Sequence, residues 1–113
     1  MRYAMLVCND ENAAVDPDES SATSAAFTAF AEEMEARSVL VAKERLRPTS
    51  TATTVRVRNG EVVVADGPFA ETKEQIAGFY LMECKDLDEA IGIAAKIPGA
   101  ALGTIEVRPV WES

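Results

Sequence analysis

The side chains that could do chemistry gather around one loop, Asp66-Gly67-Pro68-Phe69, and the polar run Glu71-Thr72-Lys73-Glu74 behind it. Asp66 is the candidate catalytic acid or base. Burial beside Phe69 would raise its pKa towards the range useful near neutral pH. Lys73 and Arg56 are placed to hold an anionic or carbonyl oxygen. Phe69, Glu71, Tyr80 and Glu44 are the further candidates for a substrate pocket. The same residues also admit a structural assignment. Asp66 would cap its own turn, Phe69 would plug the core, and residues 71–75 would be a solvated loop. Loops on rigid scaffolds often carry function, which keeps the chemical assignment open beside the structural one.

The residue types limit the chemistry. The chain has no histidine, which excludes histidine-based triads, histidine-containing zinc sites and histidine-ligated haem. Two cysteines, Cys8 and Cys84, are too few for a cysteine-rich zinc site or a disulfide framework. Acid–base work would fall to carboxylates, Lys, Tyr or Cys. No metal and no cofactor are expected. The expectation is a small-molecule-binding domain, one reading of which is an enzyme of isomerase or lyase type that moves a proton on a small organic substrate. The alternative is a non-catalytic ligand-sensing or interaction module, and the plainest option is a scaffold with no site.

Composition sets the setting for these groups. At 113 residues, 48% of them hydrophobic and 27% charged, residues 1–113 suit a single domain with one core. The net charge of −8, with 11 scattered basic residues, argues against nucleic-acid binding, which rests on basic contacts. No apolar run reaches the ~20 residues needed to span a bilayer. The first residues, 1–7, are too short for a signal-peptide core. No membrane partner is expected, and the expected location is the cytoplasm.

The elements that must position the loop can be read in order. Residues 2–8 are apolar on both faces and read as a strand covered on both sides. Asp16-Pro17-Asp18-Glu19 offers caps and a first-turn proline for a helix over about 20–37. Phe27, Phe30, Ala31 and Met34 form its apolar stripe. Residues 39–46 read as a strand that puts Leu40, Ala42, Glu44 and Leu46 on one face. Residues 53–58 and 61–65 form a hairpin about the turn pair Asn59-Gly60. Pro68 takes the chain out of the sheet, and residues 76–84 are the next strand. Asp86-Leu87-Asp88-Glu89 is a capping box. It opens a helix to about Ile97, with Leu87, Ala90, Ile91, Ala94 and Ala95 assigned to the core. Pro98-Gly99 ends it, and residues 104–110 are the last strand.

The order predicts an α+β fold: a ferredoxin-like βαββαβ antiparallel sheet with an inserted β-hairpin. Its first strand lies between the third and fourth core strands, and both helices cover one face. The other face is apolar too, so the expected partner is a second copy packed sheet to sheet. Cys8 and Cys84 fall at opposite ends of the sheet, too far apart for a disulfide. Arg2 is carried towards Glu83 and Glu106, a cross-strand ion network.

Several spaced segments resemble the YCII-related family, in particular its DGPF-motif branch. They are 51–56 (TATTVR), 66–75 (DGPFAETKEQ), 78–80 (GFY), 87–90 (LDEA), Ile97-Pro98 and 106–110 (EVRPV). The resemblance covers nearly the whole chain. It implies a dimeric α+β barrel, a superfamily that hosts both small-molecule enzymes and ligand-binding domains, so it does not choose a reaction. Some YCII-like members carry a His–Asp pair proposed as an acid–base dyad. Here there is no histidine, and the corresponding helix position near Phe27 is apolar. The family's DGPF branch is often found beside sigma factors, which implies a link to sigma-factor regulation.

Overall fold

Strict alternation along the first strand decides which side of the sheet becomes the core. A computed structural model of the chain describes residues 1–13 and 17–112. In β1 (Arg2–Asn9), Tyr3, Met5 and Val7 are buried, while Ala4, Leu6 and Cys8 are half-buried on the opposite face. β5 (Gln75–Glu83) repeats the pattern, burying Gly78, Tyr80 and Met82. The two strands are antiparallel, with Tyr3 opposite Met82 and Met5 opposite Tyr80. β6 (Thr104–Pro109) pairs with the other edge of β1, and β2 (Leu40–Arg45) with the other edge of β5. The resulting order, β2-β5-β1-β6, is the expected ferredoxin-like sheet. The hairpin β3 (Thr53–Arg58) and β4 (Glu61–Asp66) stands as a separate two-stranded sheet.

Two helices cover the Tyr3–Met5–Val7 face. α1 (Pro17–Ala36) begins at the proline expected in its first turn; Asp16, assigned to its cap, lies outside the described residues. The predicted stripe holds: Phe30, Ala31 and Met34 are buried and Phe27 packs against the same cluster. The Phe30 ring meets Tyr80 edge-on, with centroids 5.3 Å apart, a favoured aromatic geometry. α2 (Leu87–Lys96) is capped as predicted, with the Glu89 amide donating to the Asp86 carboxylate at 2.8 Å. The Glu89 carboxylate accepts from the Lys85 amide instead of the cap's own. Lys96 pairs with Glu33 at 3.1 Å and links the two helices at their solvent edge.

Several expectations are corrected. The buried face of α2 is Ala90, Ile93 and Ala94, continued by Ile97, whereas Leu87, Ile91 and Ala95 are exposed. Two apolar stripes compete on this helix, and the one with Ile93 and Ile97 wins because it fits over Met5 and Met82 in one cluster. A short helix α3 (Gly99–Leu102) follows where only a stop is legible. In β2 the register shifts between Leu40 and Ala42, so Val41 is bulged out. Leu40 therefore faces the core beside Met82, while Ala42 and Glu44 face the other way beside Leu81 and Phe79. Arg2 lies opposite Glu83 in register but pairs with Glu112 at 3.4 Å. Glu83 instead takes the amino terminus at 3.0 Å, and Glu106 takes Arg108. The thiols of Cys8 and Cys84 are free and at opposite ends of β1, as expected.

The sheet face away from the helices carries Ala4, Leu6, Phe79 and Leu81, all half-buried, at its centre, and no second layer of described residues packs extensively over it. The accessible surface is 8035 Å² for a 12.1 kDa chain, against roughly 6000 Å² for a compact monomer of that mass. The radius of gyration of 16.1 Å likewise exceeds the ~13 Å of a compact chain this long. The hairpin, whose strand residues are all exposed except Thr54, adds to both.

Candidate functional site

The hairpin places the motif loop. Asn59 and Gly60 have φ of 52° and 76°, the conformation of the predicted type I′ turn. The register then pairs Thr54 with Ala65, Arg56 with Val63, Val55 with Val64 and Val57 with Val62. Side chains alternate across a strand. One face therefore carries Thr54, Arg56, Val63 and Ala65, and the other carries Val55, Val57, Val62 and Val64.

Gly67 follows with φ of 95°, a left-handed conformation that a side chain would strain. It turns the chain back onto the start of β3, where its amide donates to the Ala52 carbonyl at 2.7 Å. The Thr54 hydroxyl donates to the Gly67 carbonyl, also at 2.7 Å. Those two bonds and the fixed φ of Pro68 hold Phe69 over the Thr54–Arg56 face. Thr54, Arg56, Val63, Ala65, Pro68 and Phe69 line an open concavity of about 200 Å³. Arg56 has no carboxylate partner among the described residues, so its guanidinium is available to an anion.

Of the residues singled out from sequence, the structure brings together Arg56 and Phe69. Asp66 lies on β4 next to this cleft, but strand alternation sets it on the valine face, opposite Thr53. It is exposed, and Phe69 is 81% exposed, so neither the buried carboxylate nor the core plug occurs within one chain. A two-stranded hairpin with no layer over it has no interior in which to bury them. Glu71 and Lys73 are exposed in a loop closed on itself by Thr72, whose hydroxyl donates to the Glu74 carbonyl at 2.7 Å. The Glu74 carboxylate accepts from the Thr104 hydroxyl at 2.9 Å and fastens this loop to β6. Tyr80 is in the helix-side core, its phenol pushed upward by burial. Glu44 is on the uncovered sheet face, in a row with Phe79, Leu6 and Glu106.

Thr54, Val63, Ala65 and Pro68 were not identified as site residues from sequence. The signal was present, since the Asn59-Gly60 turn fixes the register and the register puts Thr54 and Ala65 beside Gly67. A second concavity, of about 310 Å³, is lined by Arg45, Leu46, Arg47 and Pro48 at the exit of β2. The adjoining 3-10 turn at Thr49–Thr51 is anchored by Glu11, whose carboxylate accepts from the Thr49 amide at 2.9 Å and hydroxyl at 2.7 Å.

Burial raises the pKa of both thiols, with Glu106 and Glu74 adding to the effect at Cys8. Neither thiol is therefore an activated nucleophile. Among the described residues no group of three acidic or cysteine side chains is gathered as for a metal ion. Nor is any helix long and apolar enough to cross a membrane.

Comparison with known proteins agrees with the resemblance seen in the motif segments. The family model of the YCII-related domain matches residues 1–113. An uncharacterised protein of Rhizobium meliloti (strain 1021) is 41% identical over 114 residues, covering 97% of this chain and 92% of that protein. The chain belongs to the YCII-related domain family.

Proposed function

We propose that this chain is a small-molecule-binding domain that works as a homodimer. The cleft under Phe69 is its ligand site, and the apolar sheet face is its contact with a second copy. The observation that carries the ligand assignment is the unpaired Arg56 beneath an exposed aromatic ring, in a concavity shaped by the Gly67 turn. A guanidinium beside an aromatic face suits a small organic anion with a flat apolar body. The association is supported by the apolar centre of the uncovered face and by the roughly 2000 Å² of surface beyond that of a compact chain. Counted over two copies that is roughly 4000 Å², within the range of obligate interfaces.

Binding is favoured over acid–base catalysis because Asp66 projects from the other face of β4. Catalysis by Asp66 would require the carboxylate to reach the ligand of a second chain. Benzoate and short 2-oxo acids are suitable probes, followed by saturation-transfer NMR. Substituting Arg56→Ala removes a charge-assisted hydrogen bond worth about 1.5–3 kcal/mol, so affinity falls roughly 10- to 100-fold. Asp66→Asn leaves the affinity unchanged. Equal binding by the parent and Arg56→Ala proteins would reject the cleft as the site. Turnover lost on Asp66→Asn would instead favour the enzyme.

A further inference from the structure

The hairpin has a second face that the cleft does not use. Val55, Val57, Val62 and Val64 stand on it in two directly opposed pairs, each at least 60% exposed. β3 and β4 pair with each other, and among the described residues neither joins another strand. A two-stranded hairpin alone is marginal in water, and four clustered valines on an arm are not the scattered apolar residues of an ordinary surface.

We infer that this valine face is a clasp that seats on a second copy of the chain, separate from the sheet-to-sheet contact. The inference rests on the homodimer proposed above and goes beyond it. Three observations select a second copy as the occupant. The surface beyond a compact fold is roughly 2000 Å² per chain, and two copies together reach the range that obligate dimers bury. The arm contributes no residue to the buried core, and it is inserted in the chain between β2, an edge strand of the sheet, and β5. There it can overhang a stacked copy. Finally, the chain leaves further apolar side chains exposed where the arm is inserted, Val41 on β2, Leu46 just after it and Ile76 on β5, of the same chemistry as the valines. Seating the valines would also order the opposite face of the arm, so the Arg56 cleft would be complete only in the dimer.

The test is a mixed dimer of one chain carrying 13C-labelled valine methyls and one unlabelled chain, read by isotope-filtered NOE. Contacts from Val55, Val57, Val62 and Val64 to the unlabelled chain are expected. Val57→Lys together with Val62→Lys should raise the dissociation constant about a hundredfold or more, because two charges replace buried methyls in each copy. The core lies elsewhere, so far-UV circular dichroism should remain that of the parent. A dimer whose valine methyls contact only their own chain, or a folded double variant that associates as the parent does, overturns the clasp and leaves the sheet contact standing. A parent chain that sediments as a monomer at high micromolar concentration overturns both associations. Unchanged benzoate binding by Arg56→Ala counts against the cleft alone.

Discussion

Leu81 is the sharpest probe of the uncovered sheet face. It lies at the centre of that face, between Ala4 on β1 and Ala42 on β2, and is half-buried in the single chain. Full burial of a leucine is worth about 1.5–3 kcal/mol, so completing a half-burial contributes about 1 kcal/mol per copy and about 2 kcal/mol per dimer. In the proposed dimer, Leu81→Glu forfeits that term and places two carboxylates against apolar surface. Desolvating them costs a further several kcal/mol. The total of at least about 4 kcal/mol corresponds to a roughly thousandfold weaker dimer. Sedimentation equilibrium over nanomolar to high micromolar concentrations would measure it, with far-UV circular dichroism confirming that the monomer stays folded. Glu32→Gln on the exposed face of α1 is the matched control and should change nothing. A folded Leu81→Glu protein with parental assembly would refute the sheet-to-sheet contact and the area argument behind it.

The rotated face of α2 makes a paired prediction. Ile93→Ala should lower the stability measured by urea unfolding by about 2–5 kcal/mol, since it opens a cavity in the core. Ile91→Ala, at an exposed position two residues earlier, should change it by less than about 0.5 kcal/mol. Ser38 ends α1 with φ of 58°, and the Val39 amide closes the helix end on the Met34 carbonyl at 3.2 Å. Ser38→Gly should raise the melting free energy by about 1 kcal/mol, because glycine takes that conformation without strain. The raised pKa of Cys8 means less thiolate at mildly alkaline pH than an ordinary thiol has. Iodoacetamide should therefore label it slowly, with the rate still climbing above the usual thiol range, and Glu106→Gln should speed the labelling. The pKa values of Cys8, Cys84 and Tyr80 are all higher in the folded than in the unfolded state. Their contribution to stability is complete below the ordinary thiol and phenol ranges and is lost as pH rises through the folded values.

Local rules carried much of the fold. The apolar strands at residues 2–8 and 76–84, the Phe27–Met34 stripe, the Asn59-Gly60 turn and the Asp86–Glu89 cap each depend on neighbours in the chain. Each appears where the sequence places it, within one to three residues. The βαββαβ order followed from those elements, because few antiparallel arrangements can cover one sheet face with two helices. The motif segments were enough to identify the family. Local rules do not say which of two apolar stripes on α2 fits a particular sheet, because that depends on the side chains opposite. They do not show that Val41 bulges, which moves Leu40 into the core and leaves Glu44 on the open face. Nor do they give the ionic partner of Arg2, since the strand register and the returning chain end decide it. The candidate site was legible as a loop but not as a cleft. Gly67 and Pro68 announce a turn, but only the hairpin register puts Arg56 and Phe69 on one face and Asp66 on the other. Residue types thus named the groups able to bind or react, and strand pairing over long sequence separations decided which of them meet.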